Sequence, residues 1–533
     1  MSSDYDVITV GGGPVGQVAA ILLGQRGHRV AIYEQWSSAF PLPRACSLGH
    51  EPARVLQAAG LGPELESLLE PVQGEDRPYI FQSAERETLL EIAWNKPGDS
   101  GWAEMSGFFQ PDLEKLLADR IAELPTVAFE RGKRVVAVGD GDEHALVSVV
   151  DHDDAVRGGG GEAGAHEVSA QYVVGADGAN SVVRTRVSQS LVDLGFEYDW
   201  LVVDVLPRDQ DREWDPYFAQ RIDPRRPTTS VPSGPGRRRW EFMLLPGESR
   251  EEFATDEMTW RLLADWDVTP ENAELVRSAV WTFRAMWVEQ WRSGRLLLAG
   301  DAAHLMPPFL AQGLGSGLRD AAALAWRLDL ILRDIAPDTV LDSYGPERLG
   351  HVQTIIREAV RLGEIICVSD AEAAAVRDAQ LREARRDPRL APPPPPPWRV
   401  SPGLATAPND ELAGLLFVQG RVRIGAQTGL LEDLLGSGFS LVSIREDPAA
   451  GLGPDARMIW AQLEGRCVHV GDENAMVEDL QGTYASWFAE RGVELILVRP
   501  DFVIYGSGRS TKASDDLVLG LGDALGIYRT ATA

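Results

Sequence analysis

Apolar residues are grouped at two places where a buried strand turns sharply into a helix. The first strand, residues 5–10 (YDVITV), leads into a glycine-rich turn, and a second strand over residues 28–34 ends at Glu34. Residues 295–299 form another apolar strand, followed by a bend rich in proline and glycine and by an Ala- and Leu-rich helix that begins near Leu318. Both patterns predict units in which backbone N–H groups face a polar or anionic ligand.

Helical and alternating periodicities predict the other elements. Apolar residues at helical spacing behind a proline predict an amphipathic helix over residues 110–124, and another helix is predicted around residues 51–59. Period-two alternation predicts a meander over residues 127–129, 134–138 and 145–150, continued by a loop at residues 158–161. It also predicts a separate inserted sheet between about residues 196 and 284, with strands at 200–206, 229–232 and 239–245.

A run of six prolines, residues 392–397, marks a domain boundary because it favours a stiff polyproline II segment. Beyond it, strands are predicted at residues 439–444, 467–470 and within 493–505, with helical stretches between them. This pattern is typical of a small α/β domain.

Composition and charge narrow the possible partners. The 533 residues include 51 Lys and Arg against 80 Asp and Glu, a net charge of −29 that repels nucleic acid and anionic membranes. The N-terminus lacks the pattern of a signal peptide and no apolar run has the length of a membrane span, so we expect a cytoplasmic protein. Cys46, Cys367 and Cys467 are far apart and lack metal spacing, so no metal site is predicted and the thiols are expected to be reduced.

The first turn has the spacing Gly-x-Gly-x-x-Gly. Gly11 supplies the tight turn, Gly13 the close approach to a pyrophosphate, and Gly16 the close packing of helix on strand, while Glu34 is placed to bind a ribose hydroxyl. Gly159, Gly161 and Gly164 repeat the same spacing without a strand before or a helix after them. We interpret that second match as a hairpin loop.

Two further motifs follow along the chain. One is Asp177-Gly178-x-x-Ser181-x-x-Arg184, and the other is Gly300-Asp301-x-x-His304-x-x-Pro307-Pro308-x-x-x-Gln312-Gly313. Taken alone, the first of them also fits a strand end followed by a capped helix, with Asp177 or Ser181 accepting backbone N–H groups.

Together the three motifs resemble the single-component, FAD-dependent aromatic hydroxylases related to para-hydroxybenzoate hydroxylase, over about residues 5–385. The longer chain, the segment PFLAQGLGSGLRD at residues 308–320 and the tail strand ending LVRPD at residues 497–501 are similar to the subgroup of 3-(3-hydroxyphenyl)propionate, phenol and polyketide hydroxylases. That subgroup carries a thioredoxin-like tail. Cys467 is the only cysteine of this tail, so a thiol-redox role is not expected.

The resemblance implies an α/β fold with a Rossmann-type FAD-binding domain, an inserted β-sheet substrate domain and a C-terminal thioredoxin-like α/β domain. The expected division assigns residues 1–75, 105–190 and 285–386 to FAD binding, 76–104 and 191–284 to the substrate sheet, 387–412 to a proline-rich linker and 413–533 to the tail.

The resemblance also implies the cofactors and the chemistry. FAD is expected as cofactor, NADPH or NADH as a transient co-substrate, and hydroxylation of a phenolic ring with O2 through a flavin C4a-hydroperoxide. No protein residue is assigned as the catalytic group, although Pro308 and Gly313 are expected near the flavin ring. Residues expected to bind FAD are Gly11, Gly13, Pro14, Val15, Gly16, Glu34, Gln35, Arg44, Gln110, Asp177, Arg184, Gly300, Asp301, Pro308, Gly313, Leu314 and Gly315.

Substrate contacts are expected from the inserted sheet and the strand that follows it. Tyr217, Arg221, Phe242 and Trp287 are the candidates by residue type and region, with Phe218, Met243 and Trp281 as further ones. A multi-ring polyketide or antibiotic-like substrate is an alternative to a simple phenol, and a flavin-binding sensor or scaffold without catalysis is an alternative of another class. A homodimer is left open, whereas no nucleic acid or membrane partner is expected.

Overall fold

A computed structural model describes residues 3–527 apart from 73, 75–76, 153–163, 391–398, 402 and 404–405. The strands are β1 Tyr5–Val10, β2 Val30–Glu34, β3 Ser47–Gly49, β4 Glu70–Pro71, β5 Tyr79–Gln82, β6 Thr88–Ile92, β7 Met105–Gly107, β8 Val127–Arg131, β9 Lys133–Asp140, β10 Ala145–Asp151, β11 His166–Gly175, β12 Leu191–Pro207, β13 Phe218–Arg221, β14 Thr228–Pro232, β15 Arg238–Met243, β16 Ala273–Val288, β17 Arg292–Ser293, β18 Leu296–Leu298, β19 His304–Leu305, β20 Arg421–Ile424, β21 Gln427–Leu430, β22 Ser440–Ser443, β23 Arg466–Gly471, β24 Val477–Asp479, β25 Leu495–Val498 and β26 Ile504–Gly508.

The helices are α1 Pro14–Gly24, α2 His50–Leu56, α3 Gly62–Leu68, α4 Gln110–Ala122, α5 Arg184–Val187, α6 Arg250–Phe253, α7 Asp256–Ala264, α8 Gly313–Leu332, α9 Tyr344–Ile366, α10 Ala371–Arg386, α11 Leu431–Leu435, α12 Pro454–Gln462, α13 Thr483–Arg491 and α14 Ala513–Ala524. A π-helical turn over Gln57–Leu61 joins α2 to α3, and its Gly60 takes the left-handed conformation with φ 90°. Among the described helices, none has both the length and the apolar character that a membrane crossing requires.

The first sheet has the order β17-β18-β11-β1-β2-β8, in which β18, β11, β1, β2 and β8 are parallel. It is formed by the buried apolar strands that begin the chain and by β18, which returns to it almost 300 residues later. The predicted meander differs, because β8 pairs with β2 at the sheet edge while β9 and β10 form an antiparallel extension onto β11. Gly159 and Gly161 of the predicted hairpin loop lie outside the described residues, whereas Gly164 is described with φ +89°.

The second sheet has the order β19-β16-β12-β15-β14-β13-β5-β6 and contains the three strands predicted for the inserted sheet. Its strand β12 is longer than predicted and pairs with β16 along almost its whole length. One face of this sheet packs against α6 and α7 through an apolar cluster that includes Trp240, Phe242 and Leu263. The other face is not covered by these helices, and its residues line a cleft beside the first sheet.

The tail forms a third sheet with the order β21-β20-β24-β23-β22-β25-β26. The apolar stretch at residues 493–505 folds as two antiparallel strands, β25 and β26, rather than one, and its proline, Pro500, lies between them. The proline run at residues 392–397 lies outside the described residues. All three cysteines are free thiols, and Cys46 and Cys367 are buried.

Candidate active site

A cleft of about 420 Å³ lies between the first and second sheets. One wall is the N-terminus of α1 with residues 13–15, a second is the segment from Asp301 to Leu314, and a third is the free face of the second sheet. The carboxyl ends of β1 and β18 open into this cleft, which is the usual position of a ligand in a parallel α/β sheet.

The three glycines of the first turn differ in their surroundings. A Cβ on Gly11 would lie 2.3 Å from the carbonyl oxygen of Ala176, and a Cβ on Gly16 would lie 2.1 Å from that of Gly11. A Cβ on Gly13 would meet nothing within 4 Å, and Gly13 lines the cleft together with Pro14 and Val15. Gly11 and Gly16 therefore allow close packing, while Gly13 leaves room for a ligand at the N-terminus of α1, as a pyrophosphate requires.

Glu34 stands at the end of β2 and holds the same turn in place. Its Oε2 accepts a hydrogen bond of 2.8 Å from the Gly12 N–H, and its Oε1 accepts one of 2.9 Å from the Trp36 N–H. Gln35 is exposed. The carboxylate thus lies beside the glycine turn, where a ribose hydroxyl would have to be bound.

The segment that begins at Gly300 is anchored from beneath by a buried carboxylate. Asp320 accepts hydrogen bonds from the Gly300 N–H at 3.0 Å and from Arg348 Nε at 2.8 Å, and its Oδ2 lies 2.8 Å from His304 Nε2. Burial would raise the pKa of Asp320, but Arg348 and His304 together lower it below its usual value. His304 is therefore a structural partner of Asp320, while Asp301 and Pro308 line the cleft.

Helix α8 begins at Gly313, five residues earlier than the predicted start near Leu318. The N–H groups of the first turn of a helix have no acceptor within the helix, so they are available to a ligand. No side chain caps this end, and Gly313 and Leu314 line the cleft, whereas Gly315 packs closer to Pro52. The first amide groups of α8 consequently face the space where the flavin ring is expected.

The second motif is held together by its own hydrogen bonds. Asp177 accepts the Val182 N–H at 2.7 Å, and Ser181 Oγ accepts the Arg184 N–H at 2.9 Å. The Arg184 side chain donates to the carbonyl oxygen of Ala302 at 3.1 Å, which ties this motif to the third one. The capped-turn interpretation is thus the arrangement observed, and Gly178 and Ala179, rather than Asp177 and Arg184, line the cleft.

Arg44 and Gln110 both line the cleft. Gln110 Oε1 accepts the Ala45 N–H at 2.8 Å, and its Nε2 donates to Glu114 at 2.7 Å. The Arg44 side chain is half exposed and lies 3.6 Å from Glu114. Gln110 therefore fixes the backbone next to Arg44.

The free face of the second sheet, here called the inner face, forms the third wall of the cleft. It combines aromatic rings with a row of polar side chains on adjacent strands, and its cleft-lining residues include Tyr79, Phe218, Gln220, Thr229, Val231, Arg239 and Glu241. Gln220 Oε1 accepts hydrogen bonds from Tyr79 Oη at 3.2 Å and Thr229 Oγ1 at 2.7 Å. Trp94, Trp281, Phe283 and Phe309 complete the aromatic part of the wall.

The four leading substrate candidates lie elsewhere. Phe242 belongs to the apolar cluster on the outer face, because side chains alternate along β15. Tyr217 donates a short hydrogen bond to Glu70, and the Arg221 guanidinium stacks over Trp266 at 4.0 Å. Trp287 is buried beneath Arg357. Phe218 and Trp281 do line the cleft, and the polar residues that sequence reasoning missed, Arg239 and Glu241, alternate with Trp240 and Phe242.

A buried charge cluster supports the inner face. Arg239 pairs with Asp204 at 2.8 Å and donates to the carbonyl oxygens of Pro43 and Arg44 at 3.0 and 2.7 Å. Arg277 donates a short hydrogen bond to the same Pro43 oxygen, and burial lowers its pKa to about 10. The cluster fixes the loop before Arg44 against the sheet and so sets the width of the cleft.

Comparison with known proteins identifies the family. A family model described as "FAD binding domain" matches residues 4–359, and one described as "HcaD C-terminal domain" matches residues 414–518. A protein of Rhodococcus jostii strain RHA1, named probable NADH-specific resorcinol 4-hydroxylase, is 38% identical over 95% of this chain and 92% of its own length. The chain belongs to the FAD-dependent aromatic hydroxylases.

Other members agree with this assignment. The 3-(3-hydroxy-phenyl)propionate/3-hydroxycinnamic acid hydroxylase of Mycolicibacterium gilvum strain PYR-GCK is 33% identical over 94% of this chain and 88% of its own. The crystal structure of the flavin-dependent monooxygenase PieE superposes with a TM-score of 0.81 at 20% identity, over 99% of this chain and all of that one. Aklavinone-11 hydroxylase superposes with a TM-score of 0.75 at 22% identity, over 99% of this chain and all of that one. These two structures share the fold of this aromatic hydroxylase.

The residues of the cleft fit FAD by two separate features. The open space over Gly13 and the uncapped first turn of α8 are the two backbone cradles that a dinucleotide and a flavin ring need. When bound, FAD supplies this aromatic hydroxylase with electron transfer from NAD(P)H and reaction with O2. The protein binds and orients the cofactor, excludes water with its aromatic wall, and positions the ring to be hydroxylated. Among the described residues, no group of three or more His, Cys, Asp or Glu side chains is arranged to hold a metal ion.

Proposed function

We propose that this aromatic hydroxylase oxidises NADH and inserts one atom of O2 into the ring of a monocyclic phenol. The observation that supports it is the inner face, where aromatic rings surround a row of three polar side chains. These are the amide of Gln220, the hydroxyl of Thr229 and the carboxyl group of Glu241. Aromatic surfaces hold a ring, and a few placed polar groups fix its orientation. The similar proteins named for resorcinol and for hydroxyphenylpropionate favour the same class of substrate.

Next to Glu241 an uncharged phenolic hydroxyl fits better than a carboxylate does, whereas Arg44 and Arg284 also line the cleft. The Arg239 guanidinium is already paired with Asp204 and with two backbone carbonyls, and Glu241 adds a carboxyl group to the same wall. A substrate carboxylate at this wall would be repelled by Glu241 and would find Arg239 engaged.

The proposal assigns roles to the residues of the other two walls. Gly13, Pro14 and Val15 would hold the pyrophosphate, Glu34 the ribose, and Asp301 the chain between phosphate and flavin. The amide groups of Gly313 and Leu314 would stabilise negative charge on the flavin ring, with Pro308 packed against it. Arg44 and Gln110 would complete the lining of the cofactor cleft.

The test is turnover by the purified holoenzyme with phenol, resorcinol, 3-(3-hydroxyphenyl)propionate and a tetracyclic phenol, each with NADH and with NADPH. We expect monocyclic phenols without a carboxylate to accelerate NADH consumption most and to give a product that carries one atom of labelled O2. If no phenol accelerates NADH consumption, the proposed reaction is wrong. If the tetracyclic phenol alone is hydroxylated, the multi-ring alternative replaces it.

A further inference from the structure

Glu241 occupies the middle of the inner face. It lies opposite Val202 on β12 and Thr229 on β14, and Thr229 in turn lies opposite Gln220 on β13. All four side chains line the cleft, so Glu241 is the carboxyl group of a continuous row across four strands. A buried carboxyl group in this position requires a polar partner.

The partners that the fold supplies to Glu241 are incomplete. Its Oε1 lies 3.7 Å from Arg239 Nη1, beyond hydrogen-bonding distance, and no donor among the described residues makes a hydrogen bond to its carboxyl group. Arg239 itself is occupied by Asp204 and by backbone carbonyls, and Gln220 accepts from Tyr79 and Thr229. Glu241 is buried, with a side chain only 9% exposed, and it lines the cleft, so a ligand in the cleft can supply the missing donor.

The charges around Glu241 set its proton affinity. Burial raises the pKa of Glu241, and Asp204 raises it further, while Arg239 and Arg277 act in the opposite direction. Cys46 and Tyr79 are the uncharged titratable groups within its electrostatic reach. A carboxyl group with a raised pKa is a better proton acceptor than an ordinary one, and the two guanidinium groups compensate the negative charge wherever it resides.

We propose that Glu241 accepts the hydrogen bond and then the proton of the substrate's phenolic hydroxyl, an inference that rests on the proposed function. In this step the O–H bond of the phenol breaks, a new O–H bond forms on a Glu241 carboxylate oxygen, and the negative charge passes from Glu241 to the substrate. The resulting phenolate is more electron-rich at its ring carbons and so reacts more readily with an electrophilic oxygen. The transfer leaves the net charge of the site unchanged, because the proton stays within it.

The step makes Glu241 a specificity residue as well. A methyl ether of the same phenol has no proton to donate and would leave the buried carboxylate unpaired, which is costly. A substrate with a carboxylate at this position would meet a like charge. The enzyme is therefore expected to select a free hydroxyl at the inner face and to reject its ether or acid counterpart.

The proposal is tested with Glu241→Gln, and with Glu274→Gln as a matched control, because Glu274 is an exposed carboxylate on β16 of the same sheet. Hydroxylation of phenol by the wild-type holoenzyme is expected to rise with pH through the raised pKa of Glu241. Glu241→Gln should lose this rise and react about 10²-fold more slowly, while Glu274→Gln behaves like the wild type. A Glu241→Gln enzyme that keeps both the rate and the pH dependence would overturn the proposal.

Binding gives a readout that does not depend on turnover. The dissociation constants of phenol and anisole, measured by the change in flavin absorbance, should differ at least about tenfold in the wild type and by less than about threefold in Glu241→Leu, which has no acceptor. Retained FAD and the thermal midpoint show that each variant is folded. If Glu241→Leu does not fold, the same ratio is measured in Glu241→Met, which also lacks an oxygen acceptor, and an undiminished ratio there contradicts the inference.

The two proposals fail in different ways. If the wild type never oxidises NADH faster with phenols, the proposed function is wrong, and the binding ratio still reports on Glu241. If the wild type hydroxylates phenol and the Glu241 variants keep both the rate profile and the phenol-to-anisole ratio, only the role of Glu241 is wrong.

Discussion

At the scale of single residues, Gly13 and Gly16 share one motif but meet different constraints. Gly13→Ala is expected to leave the apoprotein folded, because its Cβ enters open space and φ −72° suits alanine, but to weaken FAD binding at least about tenfold by filling the pyrophosphate cradle. Gly16→Ala places a Cβ 2.1 Å from the Gly11 oxygen and should cost about 1–3 kcal/mol of apoprotein stability.

Fluorescence titration with FAD and urea denaturation of the apoprotein distinguish the two effects. Equal FAD affinity in wild type and Gly13→Ala would show that the pyrophosphate does not lie over Gly13. Gly16→Ala is the control, because it disturbs the packing of the same turn without filling the space over Gly13.

Asp320 shows how one buried carboxylate positions a whole segment. Asp320→Asn should destabilise the protein by about 3–5 kcal/mol, since Arg348 would lose its ionic partner in the interior. Because the folded-state pKa of Asp320 is lowered, its stabilisation is present above the unfolded pKa of about 3.9 and is lost as the pH falls through the folded value.

The difference in unfolding free energy between wild type and Asp320→Asn, followed by urea denaturation at several pH values, should be constant from neutrality to about pH 5 and shrink in stronger acid. A difference that grows in acid would contradict this account. Asp338→Asn, an exposed aspartate paired with Arg292, is the control and should change stability by less than about 1 kcal/mol.

At the scale of elements, the two faces of β13 and β15 have separate functions. Phe242→Leu is expected to cost up to about 1.5 kcal/mol of stability and to leave phenol binding unchanged, because Phe242 packs on the outer face. Gln220→Leu should weaken phenol binding several-fold and also lower stability, because Tyr79 and Thr229 lose their shared acceptor. Calorimetric binding of phenol and thermal unfolding of both variants test this assignment, and a phenol affinity that falls in Phe242→Leu would reverse it.

Helix α8 begins earlier than its sequence predicts, because its glycine-rich first turn is helical. Its periodicity predicts a buried helix, but its glycine-rich first turn resembles a loop when glycine is weighed by propensity alone. The tertiary contact of Gly317 with Val15 and Gly300 makes small residues necessary there and extends the helix to Gly313. The consequence is functional, since the extension places unpaired amide groups in the cleft.

At the scale of the whole molecule, the tail and the flavin-binding part share one interior. Arg499 of the tail donates to Asp501 and, at 2.9 Å, to Glu347 of α9, which also accepts from Arg327 of α8 at 2.6 Å. Trp326 and Leu330 of α8 belong to the same apolar cluster as Phe439, Ile459 and Leu497 of the tail. The tail therefore supports the helix whose N-terminus lines the cleft.

Arg499→Leu is expected to remove about 3–5 kcal/mol of stability, because two buried carboxylates lose their common cation. The loss should appear both in tryptophan fluorescence and in the release of FAD during urea denaturation, since the tail and α8 unfold together. Arg445→Leu, an exposed tail residue paired with Glu494, is the control and should stay within about 1 kcal/mol of the wild type. FAD release that is unaffected by Arg499→Leu would show that the tail is energetically independent.

Many elements of this protein could be predicted from sequence patterns within short segments. The strand–turn–helix unit at Gly11–x–Gly13–x–x–Gly16, the amphipathic helix α4 and the strands of the inserted sheet follow from periodicity and glycine placement, because each depends on residues close together in the sequence. The family came instead from the resemblance that three separated motifs share with known hydroxylases. The pairing of β8 with β2 and the split into β25 and β26 did not follow, because strand partners are chosen by distant segments.

The substrate side of the cleft was decided by tertiary structure alone. Alternation along residues 238–243 shows that Arg239 and Glu241 lie on one face and Trp240 and Phe242 on the other, but it does not show which face meets the cofactor. That choice depends on α6 and α7, which cover the outer face, and on the loop at Pro43 and Arg44, which Arg239 draws against the inner face. The glycine-rich turns that line the cleft are encoded in short motifs, whereas its inner face meets them only because segments separated by about 200 residues are brought together.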